Sequence, residues 1–117
     1  MPKESDSMAL PHPLPDDLAD LIARRFRAMS EPGRIKLLDR LRDGEATVND
    51  LAAALGTSQQ NVSKHLGLLL QHGIVGRRKV GTYAYYRIVD DSVFAMCEQV
   101  CGVVQRDIAE LNPAVSS

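Results

Sequence analysis

Apolar residues recur at helical spacing in five stretches of the chain and at a spacing of two in a sixth. Leu18, Leu21, Ile22, Phe26 and Met29 form one stripe, which predicts a first helix over about residues 16 to 29, with Asp16, Asp17 and Asp20 near its positive N-terminal end. Ser30-Glu31-Pro32 reads as the next helix start, with Ser30 as N-cap and proline tolerated in the first turn. Ile35, Leu37, Leu38 and Leu41 then supply an apolar face until Asp43-Gly44 ends the second helix. Thr47-Val48-Asn49-Asp50 has the form of a capping box and opens a short third helix with Leu51, Ala52 and Leu55 facing inward. Gly56 stops it.

Gly56-Thr57-Ser58 is the tight turn into a fourth helix, where Val62, Leu66, Leu69 and Leu70 recur at the helical period while Gln59, Gln60, Ser63 and Lys64 lie on other faces. After the breaker His72-Gly73 the period falls to two. Ile74, Val75, Val80, Tyr83, Tyr85, Tyr86 and Ile88 are strand formers around Gly81, which can take the positive φ of a hairpin turn. The three tyrosines cannot share one strand face, and Tyr86 is assigned to the core. Asp90-Asp91-Ser92 caps a last helix carrying Val93, Cys97, Val100, Val104, Ile108 and Leu111 in one stripe, widened by Phe94, Met96, Cys101 and Val103. So wide an apolar face points to burial against more than its own domain.

The prediction is a mainly α fold with a small β-hairpin, a winged helix-turn-helix of about five helices plus a two-stranded wing. Four of the six prolines fall within the first fifteen residues, so residues 1–15 are expected to be a flexible arm, 16–111 the DNA-binding and dimerisation domain, and 112–117 a tail after Asn112-Pro113. At 117 residues and 44% apolar content the chain suits one domain. With 4% aromatic residues and no Trp its core is modest, and a dimer is the natural supplement. The charged N-terminus without an apolar run, the lack of a bilayer-length segment and the use of only two cysteines imply a cytoplasmic protein with no membrane partner.

Charge sharpens the functional reading. The chain carries a net charge of −1, yet Thr57 to Arg87 holds Lys64, Arg77, Arg78, Lys79 and Arg87 with no Asp or Glu. Duplex DNA responds to such a local patch and not to the molecular sum. Gln59 and Gln60 are amides suited to base edges, while Thr57, Ser58, Ser63 and Lys64 can reach phosphates. Asn61 belongs to the same polar helix start. His65 is either a DNA contact or a structural hydrogen-bonding residue within the helix pair. Arg77, Arg78 and Lys79, with Thr82 and Tyr85 on the hairpin, suit the phosphate backbone or a neighbouring minor groove.

Three segments together resemble the ArsR/SmtB family of bacterial transcriptional repressors: Ala28-Met29-Ser30-Glu31-Pro32-Gly33-Arg34, Ser58-Gln59-Gln60-Asn61-Val62-Ser63-Lys64-His65-Leu66, and Gly81-Thr82-Tyr83-Ala84-Tyr85-Tyr86-Arg87-Ile88. The likeness covers roughly Ala19 to Leu111. It implies a homodimer paired through the first and last helices, a recognition helix in the major groove of double-stranded operator DNA, and release by an effector or by oxidation. The corresponding interface residues are Leu18, Leu21, Ile22, Val93, Cys97, Val100, Val104 and Ile108. The metal-sensing members' cysteine pair is missing from Val48-Asn49-Asp50-Leu51-Ala52. No His follows His72 to complete a site with Asp90 or Asp91, so no metal and no cofactor are expected.

Cys97 and Cys101 lie one turn apart on the last helix, either as small buried hydrophobes or as a thiol sensor of an unidentified effector. An enzyme is not expected, because neither cysteine has a downstream His or a nucleophile turn. A protein-interaction module, or a constitutive repressor with no effector site, is the alternative.

Overall fold

The computed structural model describes residues 10–111. Most of the expected N-terminal arm and the whole of the expected tail, including Asn112-Pro113, lie outside the described residues. Five helices and one hairpin follow in the predicted order: α1 (Asp16–Ala28), α2 (Pro32–Leu41), α3 (Val48–Leu55), α4 (Gln59–Gln71), β1 (Val75–Val80), β2 (Tyr83–Ile88) and α5 (Ser92–Leu111).

Local chemistry accounts for most boundaries. Thr47 Oγ1 accepts from the Asp50 N–H at 3.1 Å while Asp50 Oδ2 accepts from the Thr47 N–H at 3.2 Å, a complete capping box. Gly56 ends α3 at φ 65°, the left-handed geometry that favours glycine. Ser58 then caps α4 by accepting from the Asn61 N–H at 3.0 Å. Asp90 opens α5, its Oδ1 accepting from the Ser92 N–H at 3.0 Å. One cap differs from expectation: the N-cap of α2 is Glu31, and the Ser30 hydroxyl donates backward to the Arg27 carbonyl at 2.9 Å. With Pro32 as the first helical residue the capping position falls on residue 31, one past the serine.

The core is built from Leu37, Leu38 and Leu41 of α2, Leu51 and Ala52 of α3, and Val62, Leu66 and Leu69 of α4, closed by Ile74, Val75 and Val93. Tyr86 is half-buried against this cluster. The antiparallel strands pair from Val75 with Ile88 to Val80 with Tyr83, leaving Gly81-Thr82 as the turn, with Gly81 at φ 63°. Ala46 adds a one-residue bridge, exchanging backbone hydrogen bonds with Tyr86 at 3.0 and 2.8 Å, and so anchors the wing root to the loop before α3. Leu66 is fully buried. Leu66→Ala should lower unfolding free energy by about 2–5 kcal/mol, measured by urea denaturation; a loss under about 1 kcal/mol would mean the helix pair repacks.

Two residues depart from the expected packing. Ile35 is exposed, not part of the α2 core face. The stripe on α1 leaves Leu21 and Phe26 at 58% and 53% exposure, and α5 leaves Val100, Val103, Val104, Ile108 and Leu111 exposed, in keeping with faces expected to be covered by more than their own domain. Within α5 only Val93 is buried. Val93 is thus a core residue of the protomer at 1% exposure and is corrected from interface to core.

Candidate nucleic-acid interface

Helix α4 is held by its apolar face, and that fixes which side chains it offers outward. Val62, Leu66 and Leu69 are buried, so Gln59, Gln60, Ser63 and Lys64 stand exposed on the remaining surface. Thr57, Ser58 and Asn61 also lie at this end, but each has a local task. Ser58 is the cap, and the Asn61 Nδ2 donates to Thr57 Oγ1 at 3.0 Å, stiffening the turn into the helix. His65 does not share the exposed face. It is 7% exposed and sits beside Arg34 of α2, which corrects the reading of it as a DNA contact in favour of the structural one. The cause is helical geometry: position 65 lies beside Leu66 and Leu69 on the side packed against α2.

On the wing, Arg77 and Lys79 are exposed and share one strand face, whereas Arg78 points to the other. There its guanidinium forms a forked ion pair with the Glu45 carboxylate, Nε lying 3.0 and 3.1 Å from the two oxygens, and also lies 5.3 Å from the Tyr85 ring centroid. The hydrogen bond from Arg78 holds the Glu45 carboxyl below its ordinary range and raises Arg78 above its own. Sequence reading missed Glu45 because 33 residues separate it from Arg78. The signal lies in the Ala46–Tyr86 bridge, which no periodicity reveals. Thr82 is exposed in the turn, and Tyr85 is half-buried beneath Arg78.

Cys97 is half-buried and Cys101 exposed. Both border a cavity of about 450 Å³ between α2 and α5, along with Leu38, Arg42, Val93 and Phe94. Burial pushes the Cys97 thiol up, against a smaller downward pull from Arg42, so it is protonated at neutral pH. Asp90 is engaged by the Ser92 N–H at the start of α5 and in an ion pair with Arg25 of α1 at 2.5 Å. Among the described residues no three His, Cys, Asp or Glu side chains come together as a metal-binding group, and no helix is long and apolar enough to cross a membrane.

A helix-turn-helix domain family matches residues 29–78. The transcriptional repressor SmtB homolog of Synechocystis is 35% identical over 89 residues, 76% of this chain and 67% of that protein. The chain belongs to the ArsR/SmtB family. The HTH-type transcriptional regulator KmtR of Mycobacterium tuberculosis is 37% identical over 83 residues, 71% of this chain and 64% of that protein. The chain therefore spans about two thirds of the length of these two relatives. Among solved structures, the homodimeric winged helix-turn-helix DNA-binding domain of a possible ArsR-family regulator from Mycobacterium bovis superposes with a TM-score of 0.68 at 34% identity, covering 75% of this chain and 82% of that domain.

Proposed function

We propose that this ArsR/SmtB protein is a homodimeric, sequence-specific DNA-binding transcriptional repressor of the cytoplasm, with α4 as recognition helix and β1–β2 as wing. The single observation that carries the reading is that Gln59, Gln60, Ser63 and Lys64 are exposed on α4 while the basic Arg77 and Lys79 are exposed on the strand that follows it. Amides at the helix start read base edges, and the basic groups hold phosphates. Thr57, Ser58 and Asn61 set the helix start, while Thr82 and Tyr85 border the wing contact. Leu18, Leu21, Ile22, Val100, Val104 and Ile108 are proposed to pair the protomers, with Cys97 at their edge.

Selection of duplexes from random sequence by the full chain tests this. A dyad-symmetric motif should be enriched, and Gln60→Ala should change which bases are preferred without abolishing binding. Failure to enrich any motif would favour the protein-interaction alternative.

Glu45 occupies Arg78, so its carboxylate competes with DNA phosphate for that guanidinium. Glu45→Gln should tighten binding to any duplex a few-fold and steepen its salt dependence. Fluorescence anisotropy at several salt concentrations measures both; weaker binding would mean that the pair shapes the wing instead.

Release from DNA is proposed to act through Cys97 and Cys101, whose cavity touches both α2 and α5. The Cys97→Ser/Cys101→Ser protein and the parent, titrated with peroxide, a polysulfide donor, arsenite and zinc, separate the cases. Loss of binding in the parent alone supports the thiol sensor. No response in either points to a constitutive repressor.

A further inference from the structure

Arg34 and His65 are the buried polar residues of the core, at 8% and 7% exposure, and they face each other. A buried guanidinium is costly unless its donors find acceptors. Arg34 meets that condition through backbone and ring: Nε donates to the Ala28 carbonyl at 2.5 Å, one terminal nitrogen to the Arg27 carbonyl at 3.1 Å, and the other lies 3.4 Å from His65 Nδ1. The Glu31 carboxylate is 3.7 Å away. The two carbonyls belong to the last turn of α1, where helical partners run out. One side chain thus joins the end of α1, the start of α2 and the middle of α4. Gly33 permits the approach, since a Cβ there would lie 2.9 Å from His65 Nε2.

The geometry dictates the state of the ring. A guanidinium only donates, so Nδ1 must accept and the ring proton sits on Nε2. Protonation would set a second cation and a second donor against Arg34. Burial, then Arg34, hold His65 below its ordinary range; Lys64 on its own helix adds to this and Glu31 opposes it. Lys36 of α2 shares the same cleft, to which α3 brings only the apolar Leu55.

We propose that Arg34 and His65 are positioning residues for operator binding: they transmit the placement of α1 to α4, which takes its sequence-reading orientation only while their hydrogen bond is intact. This rests on the DNA-binding reading above, with α1 in the dimer interface. The bond is complete above the ordinary histidine range near pH 6.5 and is lost as pH falls through the lower value of the folded protein. Discrimination between sequences should then fall, whereas general affinity for DNA should not. The exposed Lys64, Arg77 and Lys79 are untouched by the change, and the protein gains a positive charge.

The test uses the full chain and two duplexes, the one enriched by selection and a scrambled version, with affinities measured by anisotropy at fixed salt between about pH 8 and about pH 5.5. For the parent, the ratio of the two affinities should drop about tenfold across that range, with scrambled-duplex affinity constant or rising. His65→Asn keeps an acceptor at the Nδ1 position and cannot titrate, so it should match the parent at the upper pH and show a flat profile. Because it retains His12 and His72, a flat profile assigns the effect to position 65. Gly33→Ala should lower the ratio at every pH by displacing the ring. The proposal is overturned by a pH-independent parent, by equal pH dependence in His65→Asn, or by a folded His65→Asn protein that has lost discrimination. If no duplex is enriched at all, the DNA-binding reading fails with it.

Discussion

Val104→Asp is expected to yield a folded protein that no longer pairs and has lost at least about a hundredfold in operator affinity. Val104 is 47% exposed on a helix whose only buried residue is Val93, so the substitution removes no core contact of the protomer. What it disturbs is the stripe of Val100, Val104, Ile108 and Leu111, which a protomer alone leaves in water. Burying an unpaired carboxylate there costs several kcal/mol in each subunit, more than a small interface can offset. Two half-site contacts held together then become two weak, separate ones. Sedimentation should change from dimer to monomer at micromolar concentration while far-UV circular dichroism stays constant. A folded monomer in the unsubstituted protein at that concentration would remove the interface from the model.

The second large effect concerns the wing. Replacing Arg77 and Lys79 by Ala deletes two exposed cations per chain, four per dimer, and should reduce the slope of log affinity against log salt by about 3 to 4. Affinity should fall by at least about a hundredfold at low salt for operator and scrambled duplex alike, because phosphate contacts carry little sequence information. Arg78→Ala alone should do far less, since Glu45 already holds that guanidinium. Adding it to the double substitution should change the slope little. An unchanged slope in the double variant would exclude the wing from the DNA contact.

The features that were legible in the sequence are local ones. Helical and two-residue periods, the capping box at Thr47 and Asp50, Gly56 and the Gly81 turn each depend on residues within a few positions of one another, and all appear in the fold. Destination was less legible than period. Leu21, Val100 and Val104 face outward on the protomer, as expected of stripes that pair two chains, but periodicity reveals an apolar face and not what covers it. Val93 belongs to the same stripe yet is buried, since it sits in the first turn of α5 beside the core.

The candidate site followed the same division. Exposure of Gln59, Gln60, Ser63 and Lys64 follows from the helix period alone. The inward placement of His65 also follows from that period, three residues after Val62 and four before Leu69, but its partner Arg34 lies 31 residues away, and the capture of Arg78 depends on a bridge through Ala46. Both partnerships are long-range contacts with no local signal. The acid-free run from Thr57 to Arg87 is real as sequence, but folding returns Glu45 to it.

The most direct measurement is the footprint and stoichiometry of the full chain on its enriched duplex. Two chains should bind per duplex and protect two symmetry-related half-sites in successive major grooves, centred about one helical turn, roughly 10 base pairs, apart. A single chain on one unrepeated site, or protection with no sequence preference, would contradict a dimeric operator-binding repressor.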